Sequence, residues 1–288
     1  MTTDSVARDT HQLSTALDER SLHVRRLVLR TLVSADKGHV GAALSLIEIL
    51  RTLYERIAKH DSARPTWDLR DRVILSKGHG CLGLYAVLVD QGYIPASTLD
   101  TFCERHSPLG GHPERQVELG IEASTGALGH GLPLGVGIAL AHRRRGTGVR
   151  VFVVVGDGEL NEGSNWEALL TATKYRLTNL TVIVDNNCQQ QGGPTAVVLP
   201  IDPLLPKFEA FGAYTLEADG HSMQELTDTL TRMTARTSGP PGVLVCHTIK
   251  GKGFSIAEHN PHWHYQRGFP KETVELLTRE LSGDVAHS

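Results

Sequence analysis

Three apolar, β-branched runs, Val149–Val155, Leu180–Val184 and Val243–His247, constrain this chain more than any other feature. A strand with one wet face alternates apolar and polar residues, so runs without alternation belong to strands covered on both faces. Each run is followed by a turn containing glycine or asparagine, and helical patterns lie between them. A further short strand, Arg72–Ser76, ends in Lys-Gly-His-Gly and leads into an apolar helix through Val89. That order predicts an α/β fold, a mostly parallel central sheet with helices on both faces. In such sheets ligands bind just beyond the carboxyl ends of the strands, so the turns there are where chemistry is expected.

The remaining patterning fits around that sheet. Apolar positions at helical spacing predict an N-terminal helical arm over residues 11–35 and a second helix over Leu44–Ile57, divided by the turn Lys37–Gly41. Gly126–His142 reads as a buried helix packed closely on the sheet, and 272–281 as a short C-terminal helix. No repeat, low-complexity tract or Pro/Gly/Ser-rich linker divides the chain, so residues 1–288 are expected to form a single domain. A net charge of −3 gives no reason to expect nucleic acid or an anionic membrane as partner. No apolar run approaches the roughly 18 residues of a membrane span, and the polar N-terminus lacks the apolar stretch of a signal peptide. Four scattered cysteines favour a reducing cytoplasm and argue against a cysteine-built zinc site.

The turn after Val151–Val155 reads Gly156-Asp157-Gly158-Glu159-Leu160-Asn161-Glu162-Gly163 and runs into a helix over Ser164–Tyr175. Its glycines allow close backbone approach, and the helix behind it favours an anion. An aspartate in a bare phosphate cradle would repel its ligand unless a divalent cation sat between them. The next strand ends in Asp185-Asn186-Asn187-Cys188-Gln189. Asp157, Asn187 and the carbonyl of Gln189, with two diphosphate oxygens and a water, would complete an octahedral oxygen shell for Mg²⁺. Taken singly, each piece is more simply a tight turn or a loop; the pairing at adjacent strand ends is what carries the reading. A dinucleotide site fails because the third glycine of G-x-G-x-x-G would fall on Asn161, and no P-loop sequence occurs.

Gly-Asp-Gly followed about thirty residues later by Asn-Asn matches the thiamine diphosphate motif. Further stretches are Lys37-Gly-His-Val-Gly-Ala-Ala-Leu44, Leu75-Ser-Lys-Gly-His-Gly80, Gly111-His-Pro-Glu114, Glu122-Ala-Ser-Thr-Gly-Ala-Leu-Gly129 and Thr248-Ile-Lys-Gly-Lys-Gly253. With these the chain resembles the N-terminal domain of transketolases, from about residue 12 to residue 265. The resemblance implies the thiamine-diphosphate-binding fold and a set of roles. His39 and His112 would lie over the reactive thiazolium and bond the donor sugar's hydroxyls, and His79 would touch the diphosphate. Gly126 and Leu128 would line the cofactor beside Gly156, Asp157, Gly158 and Asn187. Glu162 would sit at the subunit interface, paired with a partner's catalytic glutamate. Departures from the family pattern are Val40, where a proline is usual, and Gln190-Gln191-Gly192-Gly193 after the metal loop. His130 stands where the family usually has glutamine, and it and His221 read as local turn residues. A further histidine near the diphosphate is usual after the last strand, but His259, His262 and His264 all compete for that register.

In this family thiamine diphosphate acts as the electron sink for cleaving a ketose between C2 and C3. The activating glutamate and most substrate-phosphate arginines belong to a second, pyrimidine-binding domain that this sequence lacks. The expectation is therefore an N-terminal subunit of a split transketolase, catalytic only with a C-terminal partner chain, as a two-plus-two heterotetramer. Half of another thiamine-dependent ketolase or synthase in a specialised pathway is the alternative, with a non-catalytic scaffold behind it.

Overall fold

The computed structural model describes residues 17–282. Its central sheet has five parallel strands: β1 (Arg72–Leu75), β2 (Val151–Gly156), β3 (Leu180–Asn186), β4 (Tyr214–Asp219) and β5 (Gly242–His247), in the order β1-β2-β3-β5-β4. Every residue of β1, β2 and β3 is buried. Successive side chains of a strand point to opposite faces, and the two faces build two separate cores. Phe152, Val154, Ile183 and Leu244 pack into one, while Val151, Val153, Val155, Val182, Val184, Val243 and Val245 pack into the other. Each such side chain contributes about 1.5–3 kcal/mol when fully buried, which is why these strands show no polar alternation.

Helices cover both faces. The first core takes side chains from α1 (Glu19–Ala35), α2 (Cys81–Asp90), α5 (Met223–Thr234) and α6 (Lys271–Leu281). The second takes them from α3 (Gly131–Arg145) and α4 (Gly163–Lys174). The helical arm expected over 11–35 begins only at Glu19, because Asp18 caps it by accepting the Ser21 N–H at 2.6 Å; positions 11–16 lie outside the described residues. The helix expected over Leu44–Ile57 is broken into Gly41–Leu44, Ile47–Thr52 and a π turn at Leu53–Ile57. At the break Arg25 takes the Leu44 carbonyl (3.2 Å) and Ser45 turns its hydroxyl to Asp185 (2.6 Å). The glycine-rich helix starts at Gly131 rather than Gly126, since Gly126 and Gly129 hold φ of 144° and 80°. Strand β4 escapes the sequence pattern: it is an edge strand, its first three residues are only partly buried and Glu217 is exposed.

Outside the sheet, Lys37–His39 pairs antiparallel with Tyr265–Arg267, His39 opposite Tyr265. Two segments far apart in sequence are thereby bonded across the carboxyl end of the sheet.

Candidate active site

Four strand ends converge on one cavity of about 360 Å³. Lys77 and His79 follow β1, Asp157 and Gly158 follow β2, Asn187 and Gln189 follow β3, and Lys250 follows β5, and all of them line it. The strands deliver backbone turns here because the sheet is parallel: every carboxyl end falls on the same side. Gly156, Gly126 and Leu128 also line the cavity. A Cβ on Gly126 would come within 2.9 Å of the His112 ring, so this glycine is what lets that imidazole reach the wall.

The oxygen-rich floor is built by hydrogen bonds between neighbouring turns. Asp157 accepts from the Gly158 N–H (2.7 Å) and from the Thr195 hydroxyl (3.2 Å). Burial, helped by the nearby Asp185 charge, raises the Asp157 carboxyl to about 6. Asn187 Oδ1 accepts the Gln189 N–H (3.1 Å), and its Nδ2 donates to Asp185 (3.2 Å). Burial alone would raise Asp185, but Lys77, Ser45 and Thr248 all donate to it, and its pKa lies below the ordinary value. Lys250 Nζ donates to the carbonyls of Gln189 (3.2 Å) and Gln190 (3.3 Å), and burial with the Lys77 charge lowers it to about 8.

Imidazoles crowd the rest of the lining. The ring of His39 lies 5.6 Å from His79, 5.7 Å from His112 and 5.4 Å from His264. Burial, with the neighbouring charges of His112 and Lys250, lowers His39 to about 4. Burial and Lys250 lower His264 to about 4, and His79 is pushed further down by burial and Lys77. These three rings are therefore neutral near pH 7, able to donate from one nitrogen and accept on the other.

Buried polar atoms without partners are costly, so they point to a ligand. Of the six such side-chain atoms among the described residues, three belong to residues lining this cavity: Gln189 Oε1, Gln190 Nε2 and His264 Nδ1. The donor set suits a diphosphate held through a divalent cation: one carboxylate, one amide oxygen and one carbonyl on the floor, with Lys77 and Lys250 beside them.

His39, His79, His112, Gly126, Leu128, Gly156, Asp157, Gly158, Asn187 and Gln189 thus line one cavity. Glu162 does not line it; it is exposed, at the turn that caps α4. His130 is exposed and bonded to the Leu128 carbonyl (3.0 Å). His221 is no simple turn residue but fully buried, its Nδ1 2.9 Å from Glu48. Among the three competing histidines, His264 reaches the cavity, while His259 and His262 are exposed. Sequence reasoning missed Lys77, Glu159 and Lys250. The signal was present for the lysines: each follows a strand at the carboxyl end of the sheet. Glu159 holds the turns together, accepting from the Ser76 hydroxyl (2.5 Å) and the N–H groups of Gly129 (2.9 Å) and Gly156 (3.1 Å).

A cofactor-binding α/β domain is the class that this sheet and cavity define. A family model described as transketolase, thiamine diphosphate binding domain, matches residues 18–281, and the chain belongs to that family of ketol-transferring enzymes. It is 43% identical over 270 residues to the A subunit of the apulose-4-phosphate transketolase of Actinobacillus succinogenes, covering 93% of this chain and 96% of that one. It is 39% identical over 235 residues to the 6-deoxy-6-sulfo-D-fructose transketolase subunit SqwG of Clostridium sp. (strain MSTE9), covering 82% and 85%. The structure of a transketolase complex with sedoheptulose 7-phosphate from Pichia stipitis superposes with a TM-score of 0.85 at 27% identity, covering 92% of this chain and 40% of that one. The chain therefore spans about two fifths of the length of that solved transketolase.

Proposed function

We propose that this chain is the thiamine diphosphate and Mg²⁺ subunit of a two-component transketolase, with residues 1–288 forming its one domain. With a pyrimidine-domain partner it transfers a two-carbon ketol unit from a ketose to an aldehyde acceptor. The observation that carries the proposal is the cavity at four strand ends, whose cationic and oxygen-donor floor and neutral imidazole wall suit a metal-diphosphate at one end and a polyhydroxy substrate at the other. Similarity along most of both chains to relatives named as transketolase subunits supports the split arrangement.

The bound cofactor supplies an electron sink next to the ketose carbonyl. Asp157, Asn187 and the Gln189 carbonyl hold the cation, and Gly156 and Gly158 let the backbone approach the diphosphate. Lys77, His79 and Lys250 add donors toward its oxygens, and Gly126 and Leu128 wall the cofactor. His39 and His112 bond the donor's hydroxyls and move protons there. Glu162, exposed at the head of α4, meets the partner's catalytic glutamate. Closed two-fold assembly makes the complex two plus two.

The test is to assay two-carbon transfer with this chain, with a transketolase-type pyrimidine-domain chain and with their mixture, each containing thiamine diphosphate and Mg²⁺. Activity is expected in the mixture alone and should be lost on adding chelator or on Asp157→Ala. Light scattering should give two copies of each chain. Ketol transfer by this chain by itself, or full activity of Asp157→Ala, overturns the reading.

A further inference from the structure

A second cavity, about 540 Å³, lies at the other end of the sheet, where β2 and β3 begin. Four arginines line it: Arg143 in the last turn of α3, Arg150 before β2, Arg176 after α4 and Arg236 after α5. No carboxylate stands among the described residues that line it. Arg150 is neutralised by Asp71 at 2.7 Å. Arg143 donates to the carbonyls of Tyr175 and Arg176, and Arg236 donates to that of Pro240 at 2.9 Å while lying 4.3 Å over the Tyr214 ring. Among the described residues no ion pair reaches Arg143, Arg176 or Arg236, so three guanidinium charges surround one concavity without a counter-charge.

The simplest account of cations in this place is helix capping, because α3, α4 and α5 all end here. Each helix terminus is worth about −0.5 charge, so three supply about −1.5 against three guanidinium groups. The cavity keeps an excess of about +1.5, close in size and opposite in sign to the charge a phosphate monoester brings near pH 7. Arg176 bears most of that excess, since its guanidinium bonds no helix carbonyl among the described residues and its side chain is exposed. Ser238 and Thr237, also exposed, add hydroxyl donors at the rim. Guanidinium forks match phosphate oxygens in geometry as well as charge.

We propose that this arginine-lined cavity binds a phosphate monoester, with Arg176 and Arg236 gripping the phosphate. Calorimetric titration of the full chain, saturated with thiamine diphosphate and Mg²⁺ so that the first cavity is filled, tests it. The probes are glycerol 3-phosphate and inorganic phosphate, with glycerol as the uncharged control. Both anions should bind with low-millimolar or tighter affinity, weaken at higher salt, and leave glycerol unbound. Arg176→Gln should weaken binding at least fivefold and Arg236→Gln comparably. Arg145→Gln, outside the cavity, should change nothing. Arg176 is exposed, so its variant decides the matter even if Arg236→Gln folds poorly. Unchanged affinity in Arg176→Gln, equal loss in Arg145→Gln, or no binding at about 10 mM probe overturns the proposal.

Discussion

The His39 ring illustrates how one residue couples the site to stability. It is crowded by three imidazoles at 5.4–5.7 Å, and burial with the charges of His112 and Lys250 holds it at about 4, below its ordinary 6.5. The unfolded chain therefore takes up this proton first as pH falls. The ring's contribution to stability is complete above pH 6.5 and is lost as pH drops from there through about 4. The thermal midpoint of the cofactor-free chain should decline across that window, and His39→Gln should flatten the decline by about 1–2 kcal/mol after allowance for solvent screening. Melts of both proteins from pH 7 to pH 4 check this; parallel curves would show that the crowded ring carries no penalty. Most of this site was legible in sequence because its residues ride in short motifs at strand ends, where a few local letters fix backbone and side chain together. His264 was not, since it shares its stretch with His259 and His262. Only the pairing of Lys37–His39 with Tyr265–Arg267 selects it, and no local pattern encodes that long-range register.

At the scale of elements, the helix Ile47–Thr52 is pinned by a buried charge network. Glu48 accepts from Arg25 at 2.6 Å and from His221 Nδ1 at 2.9 Å, while His221 Nε2 accepts the Ile249 N–H at 2.8 Å. Burial would raise Glu48, but Arg25 and His221 hold it well below the carboxylate range. The network thus ties α1, this helix and the turn before Lys250. Glu48→Ala would strand the Arg25 charge in the core and should cost about 3–5 kcal/mol of stability, whereas replacing Glu48 and Arg25 together with apolar residues of similar size should recover most of it. Urea unfolding midpoints distinguish the two. Equal loss in the single and double variants would show that packing rather than charge is responsible. The network also explains where sequence reading of elements fell short. An unbroken apolar rhythm over Leu44–Ile57 predicts one helix, yet Arg25 and Ser45 draw its backbone and hydroxyl to tertiary partners. Likewise β4, half exposed at the sheet edge, has no reason to show the apolar run that revealed the buried strands.

Across the whole molecule, the apolar surface is not evenly distributed. Val197 is 78% exposed, with Val198 and Leu199 beside it, on the turn whose Thr195 bonds Asp157 at the cavity floor. We expect the partner of the proposed assembly to cover this exposed apolar turn. Amide exchange there should slow on mixing the two chains, and Val197→Asp should weaken their association about tenfold or more, the cost of burying an unpaired charge. Unaltered exchange at 195–199 would move the interface elsewhere. The antiparallel pair between Lys37–His39 and Tyr265–Arg267 has a consequence of another kind. Closing so long a loop is entropically slow and gains nothing until nearly the whole chain is available. During synthesis the sheet can collapse with β1 to β5 in hand, but His39 and His264 meet only after the last of these strands has emerged. Of the four imidazoles in the wall, only His264 is still to come at that stage. A ribosome-bound fragment ending at β5 would carry His39, His79, His112, Asp157 and Asn187 but lack Lys250 and His264, so the cavity is closed only by residues made after the sheet.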